Sequence, residues 1–220
     1  MGKGNFAETV LHLQLEERER MEILKKYHFE DKHERECKLV YEELIDAMEV
    51  VSNLTRVNGE TKERLSFVDK ANYLIGMITL GEGVDGLLQK YYHANRVFEA
   101  YMADCLCMEL LRSGYEQFES FVYEECGEWP EKYDFIGDNY PIESILEIIK
   151  YVPQDIITHN QAYALIPSKS VVFLSTLSPQ KKDCMLQICE NCKNTMCEKQ
   201  KMRPQNYGEM QIFRRRNYPW

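Results

Sequence analysis

Apolar positions recur along the chain with periods that mark successive elements. Residues 8–28 (ETVLHLQLEERERMEILKKYH) mix charged and apolar side chains in a pattern that predicts a partly amphipathic helix. Cys37, Val40, Tyr41, Leu44, Met48 and Val51 follow helical spacing, so a second amphipathic helix is expected over 32–52. In SNLTRVNGETKERLSFV the Asn58-Gly59 pair favours a tight two-residue turn and predicts a hairpin. Residues 72–80 (NYLIGMITL) form a short apolar run closed by Gly81, the signature of a buried strand. Two helices are expected next, over 82–92 and 95–125. The longer one carries Ala100, Ala103, Leu106, Cys107, Leu110, Leu111 and Phe118 on one apolar face.

From Cys126 to Pro141 the pattern breaks into an irregular stretch rich in Gly, Pro, Asp and aromatic residues. A helix is expected after Pro141, with Glu143 complementing its positive end. ITHNQAYALI and KSVVFLST are rich in β-branched and aromatic residues and flank Pro167-Ser168, so 155–177 reads as strand, turn, strand. Ser178-Pro179 is expected to open a short helix. Strands separated by helices, with a late hairpin, predict an α+β fold.

Composition narrows the function classes. The 220 residues are 44% apolar and 29% charged, with mean hydropathy −0.49. No apolar run reaches the ~18–20 residues of a membrane span, and MGKGNFAETV lacks the apolar core of a signal peptide, so a cytoplasmic protein is expected. The net charge of −9 divides unevenly. Residues 1–180 hold 18 basic and 32 acidic side chains, a net −14, whereas residues 181–220 hold 9 basic and 4 acidic, a net +5. An acidic body disfavours a nucleic-acid surface, which needs a basic face to neutralise phosphates. The expected organisation is therefore an N-terminal helical region (1–70) packed on a core domain (71–180), followed by a basic tail (181–220).

The tail contains the strongest motif. Four of the eight cysteines, Cys184, Cys189, Cys192 and Cys197, fall within 14 residues, spaced C-x4-C-x2-C-x4-C. In a reducing compartment such a cluster points to a metal rather than to disulfides. Thiolate quartets select zinc or an iron–sulfur cluster because soft sulfur suits those ions, and this spacing favours neither. Lys181, Lys182, Lys193, Lys199, Lys201 and Arg203 surround the quartet and would lower its thiol pKa values. Cys105 and Cys107, two apart on a helix, lie on different faces and read as small core residues.

Four ordered pieces carry a resemblance over 73–177: TLGEGVDGLLQKYY, the Asp104 and Glu109 pair on the long helix, YDFIGDNYPIESILEII, and ITHNQAYALIPSKSVVFLS. Together they resemble the activation domain of cobalamin-dependent methionine synthase and the stand-alone bacterial proteins built like it. The resemblance implies a mainly antiparallel, twisted sheet with long helices. It also implies a groove for S-adenosylmethionine, framed by Asp104, Glu109, Lys132, Gly137 and Ser175. Lys132 occupies the family's Arg position, Gly137 is displaced by one from its Pro-Gly-Tyr turn, and Ser175 falls where methionine synthase has an aromatic. Lysine keeps the charge of arginine but loses the planar fork that grips a carboxylate.

The implied function is an accessory role. The protein would dock on a corrinoid-binding protein or corrinoid methyltransferase and support its reductive reactivation or methyl transfer, the partner supplying the cobalamin. Two alternatives stand beside it: an S-adenosylmethionine-binding enzyme of reductive methylation, and a non-catalytic binding or assembly protein with a structural zinc site.

Overall fold

A computed structural model describes residues 5–57, 65–69 and 72–182. The elements run β1 (Asn5–Thr9), α1 (Glu17–Lys26), α2 (Glu34–Ala47), β2 (Val51–Val57), β3 (Tyr73–Thr79), α3 (Glu82–His93) and α4 (Val97–Cys126). They continue with β4 (Trp129–Pro130), β5 (Asp134–Phe135), α5 (Ile145–Ile148), β6 (Thr158–His159), β7 (Leu165–Ile166), β8 (Ser170–Ser175) and β9 (Leu177–Ser178). The architecture is α+β. The main sheet is antiparallel, in the order β1-β2-β3-β8-β5.

β3 is the hub, and its composition explains why. Every one of its residues is buried, because apolar layers cover both faces of the sheet. Tyr73, Ile75 and Met77 point to one side, where they join Val172, Leu174, Ile145, Ile148, Ile149, Val152 and Ile157. Alternation sends Leu74, Gly76 and Ile78 to the other side, under α4. There Phe118 and Phe173 meet edge to face at 5.2 Å over Gly76. α1, α2 and α3 all pack on α4, which makes the 30-residue helix the spine of that layer. Cys105 and Cys107 are buried in it, as their spacing predicts. Burial pushes their thiols up, to about 11 and about 12 respectively, so both stay protonated at neutral pH.

β2 is polar for a buried strand, and its polar groups are satisfied by neighbours. Ser52 Oγ donates to the Thr9 carbonyl (2.9 Å), Asn53 Nδ2 to the Ala7 carbonyl (3.1 Å) and Thr55 Oγ1 to the Tyr151 carbonyl (2.7 Å). These bonds pin β1 and the turn after α5 to the sheet, and they offset the desolvation of the hydroxyls and amide.

Several sequence expectations need correction. The helix expected over 8–28 forms only from Glu17 onward; before it the chain is a strand and then an extended run. In that run Leu11, Leu13 and Leu15 are buried while Val10, His12, Gln14 and Glu16 are exposed, the two-residue period of extended backbone. Met48 and Val51 lie beyond the end of α2, and Val51 opens β2. β2 pairs with β3, Val57 opposite Tyr73, rather than with a strand directly after Asn58-Gly59; that dipeptide lies outside the described residues. ITHNQAYALI folds on itself, β6 pairing with β7, so only β8 of that region enters the main sheet. Ser178 ends β9, paired with Trp129, instead of starting a helix. The helix expected after Pro141 is a mixed run of 3-10 and α turns ending at Tyr151. No helix among the described residues is long and apolar enough to cross a membrane.

Candidate functional site

Where β8 ends and β5 begins, the main sheet borders a groove of about 210 Å³. Lys132 enters it from the extended segment between β4 and β5, Asp134 from the start of β5, Ser175 from the end of β8 with Thr176 just after it, and Tyr73 from β3. Tyr140, from the turn after β5, and Phe67, from the β2–β3 connection, close it. Lys132 and Asp134 are two apart on extended backbone, which places both side chains on one face. The Lys132 ammonium donates to Asp134 Oδ1 at 2.8 Å and lies 2.6 Å from Oδ2. The lysine side chain is 41% exposed and the carboxylate only 10%, so the acid is fixed and the base reaches solvent.

The surroundings set the character of the groove. Burial raises the Tyr140 phenol pKa, with the Asp134 charge adding and Lys132 opposing, so the ring is a neutral donor at physiological pH. The Ser175 hydroxyl is buried and donates to the Thr176 carbonyl at 3.0 Å. That bond points the hydroxyl into backbone, away from any base, which is the geometry of a wall and not of an activated nucleophile. The lining offers one cation, Lys132, two carboxylates, Asp134 and the more exposed Asp69, and the rings of Phe67, Tyr73 and Tyr140, a set suited to holding a zwitterion beside a flat group.

The sequence-predicted site residues separate into three places. Lys132 and Ser175, distant in sequence, meet in the groove. Gly137 sits in the turn behind it, at φ +92, with its amide bonded to the Tyr140 carbonyl at 2.8 Å. It shapes the loop that carries Tyr140. Asp104 and Glu109 do not line the groove. Five residues on a helix turn through roughly 140°, so the two carboxylates leave α4 on different sides. Asp104 pairs with Lys169, just before β8, beside the Ser168–Asp85 hydrogen bond, and so fastens the β7–β8 turn to α3 and α4. Glu109 is buried between α4 and α1. It accepts from Lys26, from Tyr27 Oη at 3.0 Å and from Arg112 Nε at 2.9 Å.

Asp134, Tyr140 and Phe67 are groove residues the sequence reading did not single out. The first two stand inside YDFIGDNYP, and the signal for Asp134 was its two-residue spacing from Lys132. Phe67 carried no signal, because the connection it belongs to closes on the groove only through tertiary contacts. Cys184, Cys189, Cys192 and Cys197 lie outside the described residues. Among the described residues no three His, Cys, Asp or Glu side chains converge as a metal site would require. A larger hollow, about 500 Å³, opens between α1 and α2 and is lined by Arg20, Lys32, Arg35 and Lys38 together with Glu17 and Glu34. Its size does not make it the better site: no aromatic side chain lines it, and none of the predicted site residues reaches it.

No protein-family model matches the chain, and no curated protein matches it. Among solved structures, it is similar to the MetH reactivation domain bound to AdoHcy, with a TM-score of 0.48 and 10% identity over 82% of this chain and 81% of that one.

Proposed function

We propose that the protein is an accessory factor of a corrinoid protein, and that its groove takes the amino-acid end of an S-adenosyl ligand. One observation carries the reading: Lys132 and Ser175, the positions that the sequence resemblance assigns to ligand contact, come together with Asp134 in one hollow. Lys132 would receive the carboxylate and Asp134 the α-ammonium, each exchanging its present partner for the ligand's opposite charge. That exchange keeps both protein charges paired and so avoids the cost of an uncompensated buried carboxylate. Tyr140 and Phe67 supply apolar faces for the part of the ligand that follows. At about 210 Å³ the groove is smaller than the ~300–1,000 Å³ of a typical small-molecule pocket, which fits the amino-acid end and leaves the nucleoside toward solvent and a partner.

When bound, S-adenosylmethionine supplies a methyl group. The residues of the groove bind and orient; none is arranged as a nucleophile with its base. The cobalamin would be held by the partner protein. The four tail thiolates, by their donor set, would hold one metal centre, iron–sulfur or zinc. A second reading, a non-catalytic assembly protein, is favoured by the mutual pairing of Lys132 and Asp134 and by the buried Ser175 hydroxyl.

Calorimetry with S-adenosylhomocysteine decides between them. Binding at millimolar ligand or below is expected for the full chain, and Lys132→Ala should weaken it on the order of tenfold, the loss of one charge-assisted contact. No heat and no thermal shift at millimolar ligand would remove the groove reading and leave the assembly protein.

A further inference from the structure

The connection between β2 and β3 carries a short strap, residues 65–69, over the outer side of the groove. Its first residue is anchored in the core: Leu65 is buried, and its amide donates to Tyr73 Oη at 3.0 Å. The strap then turns, Val68 N bonding to the Leu65 carbonyl at 3.2 Å. Phe67, Val68 and Asp69 form a wall of the groove, and the Phe67 ring rests on Tyr140 with centroids 5.0 Å apart and planes at 60°. Phe67 and Val68 also pack against the core cluster below, and among the described residues a polar tie to this wall comes from α5. Both oxygens of Glu147 are used on one residue: Oε2 accepts from Ser66 N at 2.8 Å, and Oε1 accepts from Ser66 Oγ.

We propose that Glu147 is a positioning residue which, by latching Ser66, holds the strap closed and keeps Phe67 on Tyr140 as the outer wall of the groove. A two-pronged carboxylate fixes backbone and side chain together, so the strap's orientation is set as well as its position. Ile145 and Ile148 bury the opposite side of α5, so the latch stands on a rigid base and can be removed without disturbing the core. The wall it holds carries one of the aromatic side chains of the groove, and a wall ordered beforehand costs a ligand less to organise. This role rests on the groove reading for its ligand, but the latch itself is independent of any ligand.

Three measurements on the full chain test it, with Glu147→Ala as the releasing variant. In the free protein, amide exchange across 65–69 should accelerate about tenfold while β3 stays protected. The nuclear Overhauser contact between the Phe67 and Tyr140 rings should disappear. Affinity for S-adenosylhomocysteine should fall roughly three- to tenfold, with Glu147→Gln, which keeps one strong acceptor, in between. Unchanged exchange, or a surviving ring contact, would overturn the latch. Faster exchange with unaltered affinity would overturn the positioning role. Failure of the wild-type chain to bind S-adenosylhomocysteine would count against the ligand assignment, while exchange and the ring contact would still decide the latch.

Discussion

Glu109 shows how a single buried charge is stabilised. Burial alone would raise its pKa, but the hydrogen bonds and charges of Lys26 and Arg112 outweigh it and hold the carboxyl below its ordinary 4.5. A carboxylate whose folded pKa is depressed contributes stability that is fully present above the unfolded value and is lost as pH falls through the folded one. The protein should therefore lose stability as pH drops below about 4.5. In Glu109→Gln this part of the acid dependence should flatten, because the α1–α4 tie then no longer titrates. Denaturant midpoints from pH 6 down to pH 3, about the range where carboxylates titrate, check this. A wild-type slope retained in the variant would place the acid sensitivity elsewhere. The same geometry explains why Asp104 and Glu109 read as a ligand pair in sequence yet act as two fasteners. Their spacing is visible in the chain, but Lys169 and Lys26, the partners that claim them, approach from distant segments.

At the scale of elements, legibility followed periodicity. β3, α3 and α4 are readable because each buries a full face, and NYLIGMITL is mostly apolar because the sheet is covered on both sides. β1 was not readable: its length is five residues, and what holds it is the polar edge of β2. The run LHLQLE reads as helix although its leucines alternate, because the charged turn that follows dominates the window. β6 and β7 are two residues each and owe their pairing to the turn at Asn160, whose side chain caps the Ala162 and Ala164 amides. β3 also yields a steric prediction. A methyl at Gly76 would collide with the Phe173 ring and come within 2.9 Å of Phe118 Cζ. Both rings lie in the aromatic cluster with Tyr115 and Tyr133, so neither can swing aside. Gly76→Ala should cost about 1–3 kcal/mol, the usual range for overpacking, read as a lower denaturant midpoint with an unchanged slope.

For the whole molecule, the acidic body and the cysteine-rich basic tail make separable predictions. The described body closes its own core: both faces of the main sheet are covered, and its last residues are tied back by Lys181 to Glu119 and by Lys182 to Glu131. If the tail thiolates hold a metal as proposed, Cys189→Ser in the full chain should lower bound metal to a fraction of the wild-type content and leave the melting temperature of the body within about 2 °C. Metal analysis and calorimetry on the same sample check both halves. Concerted loss of metal and of the main transition would show that the tail is part of the folding unit. Lys132 and Ser175 are the part of the candidate groove legible in the sequence, because each sits in a motif with fixed spacing. The remainder, Phe67 above all, belongs to the site only through the route the chain takes between β2 and β3.

That route also sets an order of assembly. β2, β3, α3 and α4 are consecutive, so their contacts close short stretches of chain and can form early. β8 joins β3 across almost a hundred intervening residues, and β5 has no place in the sheet until β8 is there. Long closures of this kind carry the larger entropic cost and tend to come late. Asp134 and Ser175 arrive on these late strands, and Lys132 two residues ahead of β5, so the groove is the last part of the body to exist. A refolding chain should recover its helical signal before it recovers any capacity to hold a ligand.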